Sequence, residues 1–167
     1  AGVFASPRRG LNLVLLCVGH WIRELPADEA GSPERVRAHL ERAVTDFDRA
    51  MRAHRARGGR PTLLMVCPTG ALAVEIDSLI AHAEGELVSR LGGVAGLQVI
   101  RSVTSHGRYG VGASDVHDPL RDRIGHIPYR DEYFHVLATL AMRHAHRRVS
   151  APHKVVVVDA DNTLWRG

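Results

Sequence analysis

The sequence predicts an α/β fold, a three-layer sandwich in which helices cover both faces of a mainly parallel sheet. Three observations carry that prediction. Short runs rich in Val, Leu and Ile alternate with longer stretches whose apolar residues recur every three or four positions, the pattern of strand and helix units joined by crossovers. The run Val155–Val158 is wholly apolar, the mark of a strand covered on both faces, and residues 62–67 read as a second buried strand. Gly and Pro residues punctuate the boundaries between them.

Residues 1–10 carry Gly, Pro, Ser and paired Arg and read as a flexible lead-in. The first strand is expected over residues 11–18, followed by a loop over 19–31 that holds Trp21 and Pro26. Ser32 and Pro33 then open a helix, serine as the cap and proline at the first helical position. Val36, Leu40, Val44, Phe47 and Met51 make one apolar stripe, and Gly58-Gly59 ends the helix behind Arg57.

The second strand is expected over residues 62–67, stopped by Pro68 and Gly70. A helix over 72–91 follows, with Ile76, Leu79, Ile80, Ala83, Leu87 and Leu91 facing inward, and Gly92-Gly93 closes it. The third strand covers residues 97–103. Residues 104–130 read as one long polar loop, a length that in a compact domain points to function or disorder. A helix over 131–148 carries Tyr133, Phe134, Leu137 and Leu140 at helical spacing; Arg130 is no natural cap, which leaves that role to Asp131. Ser150-Ala151-Pro152 then leads into a last strand at Val155–Val158. The predicted organisation is a lead-in over 1–10, an α/β domain over 11–150, and the start of a second core over 151–167.

Composition sets the outer bounds. A chain of 167 residues with 45% hydrophobic and 24% charged residues has material for a proper core. No apolar run approaches the roughly 18 to 20 residues of a membrane span, so no membrane role is expected, and a cytoplasmic location is the default. The net charge is +4 and the positive residues are almost all arginine. Arg49, Arg52, Arg55, Arg57 and Arg60 form a basic stretch to which an acidic partner would be attracted. No aromatic residues interleave it, which argues against nucleic acid. Cys17 and Cys67 form neither a disulfide framework nor a metal-spaced pair.

The most chemical stretch is the last one. Val155-Val156-Val157-Val158 delivers Asp159 and Asp161 to the C-terminal end of a buried strand, where open α/β sheets place their ligands. The run Asp159-Ala160-Asp161-Asn162-Thr163-Leu164 resembles motif I of the haloacid dehalogenase (HAD) superfamily of phosphoryl-transfer enzymes. The resemblance makes Asp159 the nucleophile toward phosphorus and Asp161 the general acid/base, with Mg2+ held by the Asp159 carboxylate and the Asp161 carbonyl. Trp165 after that motif, Gly125-His126-Ile127-Pro128-Tyr129 upstream and the opening strand that leads to Trp21 narrow the likeness to the FkbH-like branch. That branch takes a glyceryl unit from 1,3-bisphosphoglycerate, releases phosphate and loads the unit onto an acyl carrier protein in polyketide biosynthesis. Ala160 stands where some members have a cysteine between the two aspartates. The family's phosphate-holding Ser/Thr and Lys and its distal acids come after motif I, so the expectation is the front part of a longer enzyme.

In FkbH-like proteins the front domain resembles the SGNH hydrolase fold, a sandwich of the flavodoxin-like kind. Its late Asp/His pair corresponds here to Asp122 and His126, but no Gly-Asp-Ser follows the first strand. Cys67, at the end of the second strand, is the candidate replacement nucleophile for thioester chemistry, set against the ordinary fate of a small buried residue. Two alternatives to the family activity therefore stand: a carrier-protein-binding module without chemistry, and a vestigial or cysteine-dependent acyl hydrolase.

Overall fold

The computed structural model describes residues 10–70, 72–102 and 105–149. The expected last strand, motif I and the lead-in lie outside the described residues. Three parallel strands, β1 (Asn12–Cys17), β2 (Thr62–Cys67) and β3 (Leu97–Arg101), form an open sheet in the order β1-β2-β3. Leu13 pairs with Leu63, Leu15 with Met65 and Cys17 with Cys67, while Thr62 pairs with Leu97 and Val66 with Arg101.

β2 is buried along its whole length because it is the central strand and is covered on both faces. On one face, Leu16 and Leu64 pack against two long helices, α2 (Pro33–Ala56) and α3 (Val74–Leu91). The helix stripes behave as their spacing demands. Val36, Leu40, Val44 and Met51 of α2 meet Ile80, Ala83, Leu87 and Leu91 of α3, with Phe47, Ile76 and Leu79 partly buried at the margin. On the opposite face, Leu63, Met65 and Cys67 pack against α5 (Asp131–Val149) through Tyr133, Val136, Leu137 and Ala141. Leu13 and Leu15 share that second face but belong to the outer strand, and each is 47% exposed.

Four local expectations are corrected. The loop after β1 is ordered as a 3-10 helix over Val18–Glu24 and one α-turn, α1 (Ala27–Ala30). Ser32 stands at the head of α2 and Pro33 at its first position, but the Ser32 hydroxyl turns to the Glu34 carboxylate at 3.0 Å instead of capping the helix. The segment read as a long irregular loop contains 3-10 turns over His106–Tyr109 and Ala113–Asp115 and a short helix, α4 (Pro119–Gly125). The start of α4 is physically ordinary: the Asp118 carboxylate accepts from the Arg121 amide at 3.0 Å, and Pro119 takes the first position. An antiparallel bridge between His117 and Tyr129 closes the base of this excursion. Asp131 is the first residue of α5, and among the described residues its carboxylate is paired with Arg121 at 2.8 Å, with no capping bond to a helix amide.

Tyr133 locks α5 to the sheet. Its hydroxyl lies 3.1 Å from the Ser102 carbonyl oxygen and 3.0 Å from the Ser102 hydroxyl, which itself donates to the Val66 carbonyl at 3.0 Å. Every polar atom of that buried knot is therefore used. Among the described residues, no helix is long and apolar enough to cross a membrane.

Candidate functional site

A cleft of about 750 Å³ opens at the C-terminal ends of β1 and β2. The topology dictates this position, since parallel strands release their loops at one common edge. The 3-10 helix after β1 brings His20 and Arg23, the turn after β2 brings Thr69, and the 105–130 excursion brings His117, Asp122 and His126. Gly19 lets the first of these turns lie against the second. Its amide donates to the Thr69 hydroxyl at 3.2 Å, and any side chain at position 19 would run into Thr69.

Arg23 organises the cleft. One end of its guanidinium is paired with Asp122 Oδ2, and Nη1 lies 3.3 Å from His126 Nδ1. Because arginine only donates, His126 accepts at Nδ1, which leaves the proton of its neutral ring on Nε2. Among the described residues, no hydrogen bond joins the Asp122 carboxylate to the His126 ring directly. The pair singled out by sequence is therefore brought together, with an arginine standing between its members.

Backbone geometry aims the histidine. His126 ends α4 in the left-handed region, at φ 53° and ψ 35°, and is the only non-glycine residue at positive φ among the described residues. Its amide returns to the Asp122 carbonyl at 3.0 Å, so the turn is closed by hydrogen bonding as well as by shape.

Electrostatics distinguish the remaining groups. Burial pushes the His20 imidazole below the usual histidine range, and Arg23 adds to that push while Asp122 opposes it. His117 is lowered by burial too, offset in part by its hydrogen bond to the Pro128 carbonyl and by Asp122. Two buried polar atoms, His20 Nε2 and Asp122 Oδ1, have no hydrogen-bond partner among the described residues.

The cysteines separate. Cys17 lines the cleft, with its sulfur 3.7 Å from the Thr69 hydroxyl and from the Pro68 carbonyl. Cys67 is its register partner on the same face, yet it is 2% exposed and packed beneath Tyr129 and Tyr133 in the core. Burial pushes the Cys67 thiol up to about 11, against a smaller opposing hydrogen bond with Ser102. That is the setting of a packed thiol, with neither charge nor access. Tyr129 roofs the core there by donating to the Pro68 carbonyl at 2.7 Å.

The basic stretch on α2 is largely consumed by its neighbours. Arg49 pairs with Asp46 at 3.2 Å and Arg52 with Asp48 at 2.8 Å, and Arg52 also donates to the Arg90 carbonyl at 2.7 Å. Arg55 ties down two carbonyls, those of Ala95 at 2.9 Å and of Gly59. Its guanidinium fills the space over Gly96, where φ is +76°.

Asp159 and Asp161 lie outside the described residues. Among the described residues, no group of three or more His, Cys, Asp and Glu side chains is placed to hold a metal ion. Sequence reasoning found Asp122 and His126 but missed Arg23, His20 and His117. The available signal was positional: the residues after a parallel strand line the ligand edge, whatever their type. No family model matches the chain, and neither a curated protein nor a solved structure resembles it closely enough to count as a match.

Proposed function

We propose that the chain is the front part of an FkbH-like enzyme of the HAD superfamily, acting in the cytoplasm in polyketide biosynthesis. In this reading an SGNH-like three-layer domain over residues 11–150 precedes the phosphatase core that opens at residue 151. The complete enzyme takes a glyceryl unit from 1,3-bisphosphoglycerate, releases phosphate and passes the unit to the thiol of an acyl carrier protein.

The observation that carries this reading is the apolar run Val155–Val158 followed by Asp159-Ala160-Asp161-Asn162-Thr163-Leu164-Trp165. Asp159 attacks phosphorus with a carboxylate oxygen, and the bond from phosphorus to the leaving oxygen breaks. Asp161 protonates that oxygen, then takes a proton from the water that hydrolyses the acyl-phosphate. The donors here, a carboxylate and a backbone carbonyl, are all oxygen and suit Mg2+, whose contribution when bound is to neutralise phosphate charge.

The described domain supports a binding role beside that chemistry. Asp122 is spent on Arg23, and Cys67 is covered with its thiol pushed up to about 11, so neither of these two is set up for acyl hydrolysis. Docking of a carrier protein on the α2 arginines finds less support, because Arg49, Arg52 and Arg55 are bonded within the fold.

The test is transfer itself. A polypeptide joining residues 1–167 to the later motifs of the family is incubated with a phosphoglyceryl donor, Mg2+ and a carrier protein. Intact-mass measurement of the carrier should show the glyceryl addition on its thiol. A carrier that stays unmodified while the donor is consumed would restrict the activity to phosphate release.

A further inference from the structure

We propose that the cleft at the C-terminal edge of β1 and β2 binds a small anion, a phosphate monoester or a carboxylate on a hydroxylated carbon, through Arg123, Arg130 and His20. The inference rests on the cleft alone and is independent of any chemistry at Asp159.

Charge is the first ground. Among the described residues, three guanidinium groups line the cleft, from Arg23, Arg123 and Arg130, and Asp122 is the only carboxylate in its walls. Arg23 is taken up by Asp122. Arg130 spends its Nε on the His117 carbonyl at 3.2 Å, and Arg123 makes no ion pair or hydrogen bond among the described residues. Among the described residues, two positive charges therefore stand at the mouth without an ion-pair partner. The cleft between them is also lined by Ile22 and Leu72, a partly apolar surround in which such charges act at longer range than in open water. Forked guanidinium donors match the oxygens of carboxylate and phosphate.

Unused hydrogen-bonding capacity is the second ground, and it defines the ligand more narrowly. His20 Nε2 and Asp122 Oδ1 are buried without partners among the described residues, an arrangement that costs free energy until something pairs with them. A neutral His20 can offer Nε2–H to an anion oxygen. Asp122 Oδ1 only accepts, so it calls for a hydroxyl on the same ligand. A bare anion satisfies the arginines and the imidazole and leaves the carboxylate oxygen unpaired; a hydroxylated anion satisfies all of them. The cleft's volume, about 750 Å³, accommodates a molecule of that size.

The experiment is a nuclear magnetic resonance titration of the full chain, following the His20 ring and the backbone amides of residues 119–130. The probes are glycerol phosphate, glycerate and inorganic phosphate, with glycerol and sodium chloride as controls at matched ionic strength. Saturable shifts are expected with glycerol phosphate or glycerate at lower concentration than with inorganic phosphate. The tighter of the two assigns the anion as phosphoryl or carboxyl. Arg123→Gln/Arg130→Gln should weaken binding by about tenfold or more. Arg123→Glu, which breaks no hydrogen bond or ion pair among the described residues, should do so with an unchanged melting temperature. Shifts that chloride reproduces, or binding that ignores both variants, would overturn the proposal.

Discussion

The Asp122 carboxylate is bound by Arg23, a residue 99 positions earlier in the chain, and that one pair joins the loop after β1 to helix α4 across the mouth of the cleft. The side chains are 24% and 36% exposed, so the pair is half-screened by water and its strength is intermediate. A double-mutant cycle with Arg23→Gln and Asp122→Asn, followed by urea unfolding, should give a coupling of about 1 kcal/mol. Additive effects would show that the two loops are held by something else.

The left-handed turn after α4 sets the order of stability among variants at His126. A β-branched side chain is poorly tolerated at φ 53°, whereas glycine adopts that backbone freely. His126→Gly should be as stable as the native chain or more so, and His126→Val should fall below it by about 1–2 kcal/mol. Equal stability of the two variants, measured by thermal unfolding, would place position 126 outside the left-handed region.

The two thiols should differ in reactivity. Burial, reinforced by the nearby Cys17, lifts Cys67 to about 11, so at pH 8 only about one molecule in a thousand carries the thiolate, and that sulfur is covered. During iodoacetamide treatment at pH 8, peptide mass analysis should find Cys17 modified and Cys67 intact, until urea makes the two equal. Raising the pH toward 11 increases the Cys67 thiolate fraction, so any native modification should grow in that direction. Early labelling of Cys67 would contradict its burial and reopen a nucleophilic role.

Much of the fold was legible because burial writes itself into local pattern. β2 matched its expected range because a central strand is buried at every position and so reads as a nearly continuous apolar run. The stripes of α2 and α3 were equally plain, since each helix buries one face in a single core shared with the sheet. Where the pattern is polar it hid order. The 104–130 segment looked structureless because α4 buries none of its residues, although Asp118-Pro119 is a sound helix start. The Ser32 hydroxyl turns to donate to the Glu34 carboxylate, and in that orientation it accepts from no helix amide.

The candidate site was half legible. Asp122 and His126 sit four apart on a helix end and were visible as a motif. Their link through Arg23 depends on the packing of two loops far apart in sequence, which no local pattern encodes. The basic stretch on α2 misled for the same reason: its acids Asp46 and Asp48, and the carbonyls of Arg90 and Ala95, become its partners only once the helix forms and packs against its neighbours.

The measurement closest to the central claim is Mg2+-dependent phosphate release from a phosphoglyceryl donor by the polypeptide that joins residues 1–167 to the later family motifs. With Asp159 as the attacking group, Asp159→Asn should abolish release, by about a thousandfold or more. Asp161→Asn should slow it while an acyl-phosphate still forms on Asp159. Undiminished turnover in the Asp159→Asn protein would contradict the account.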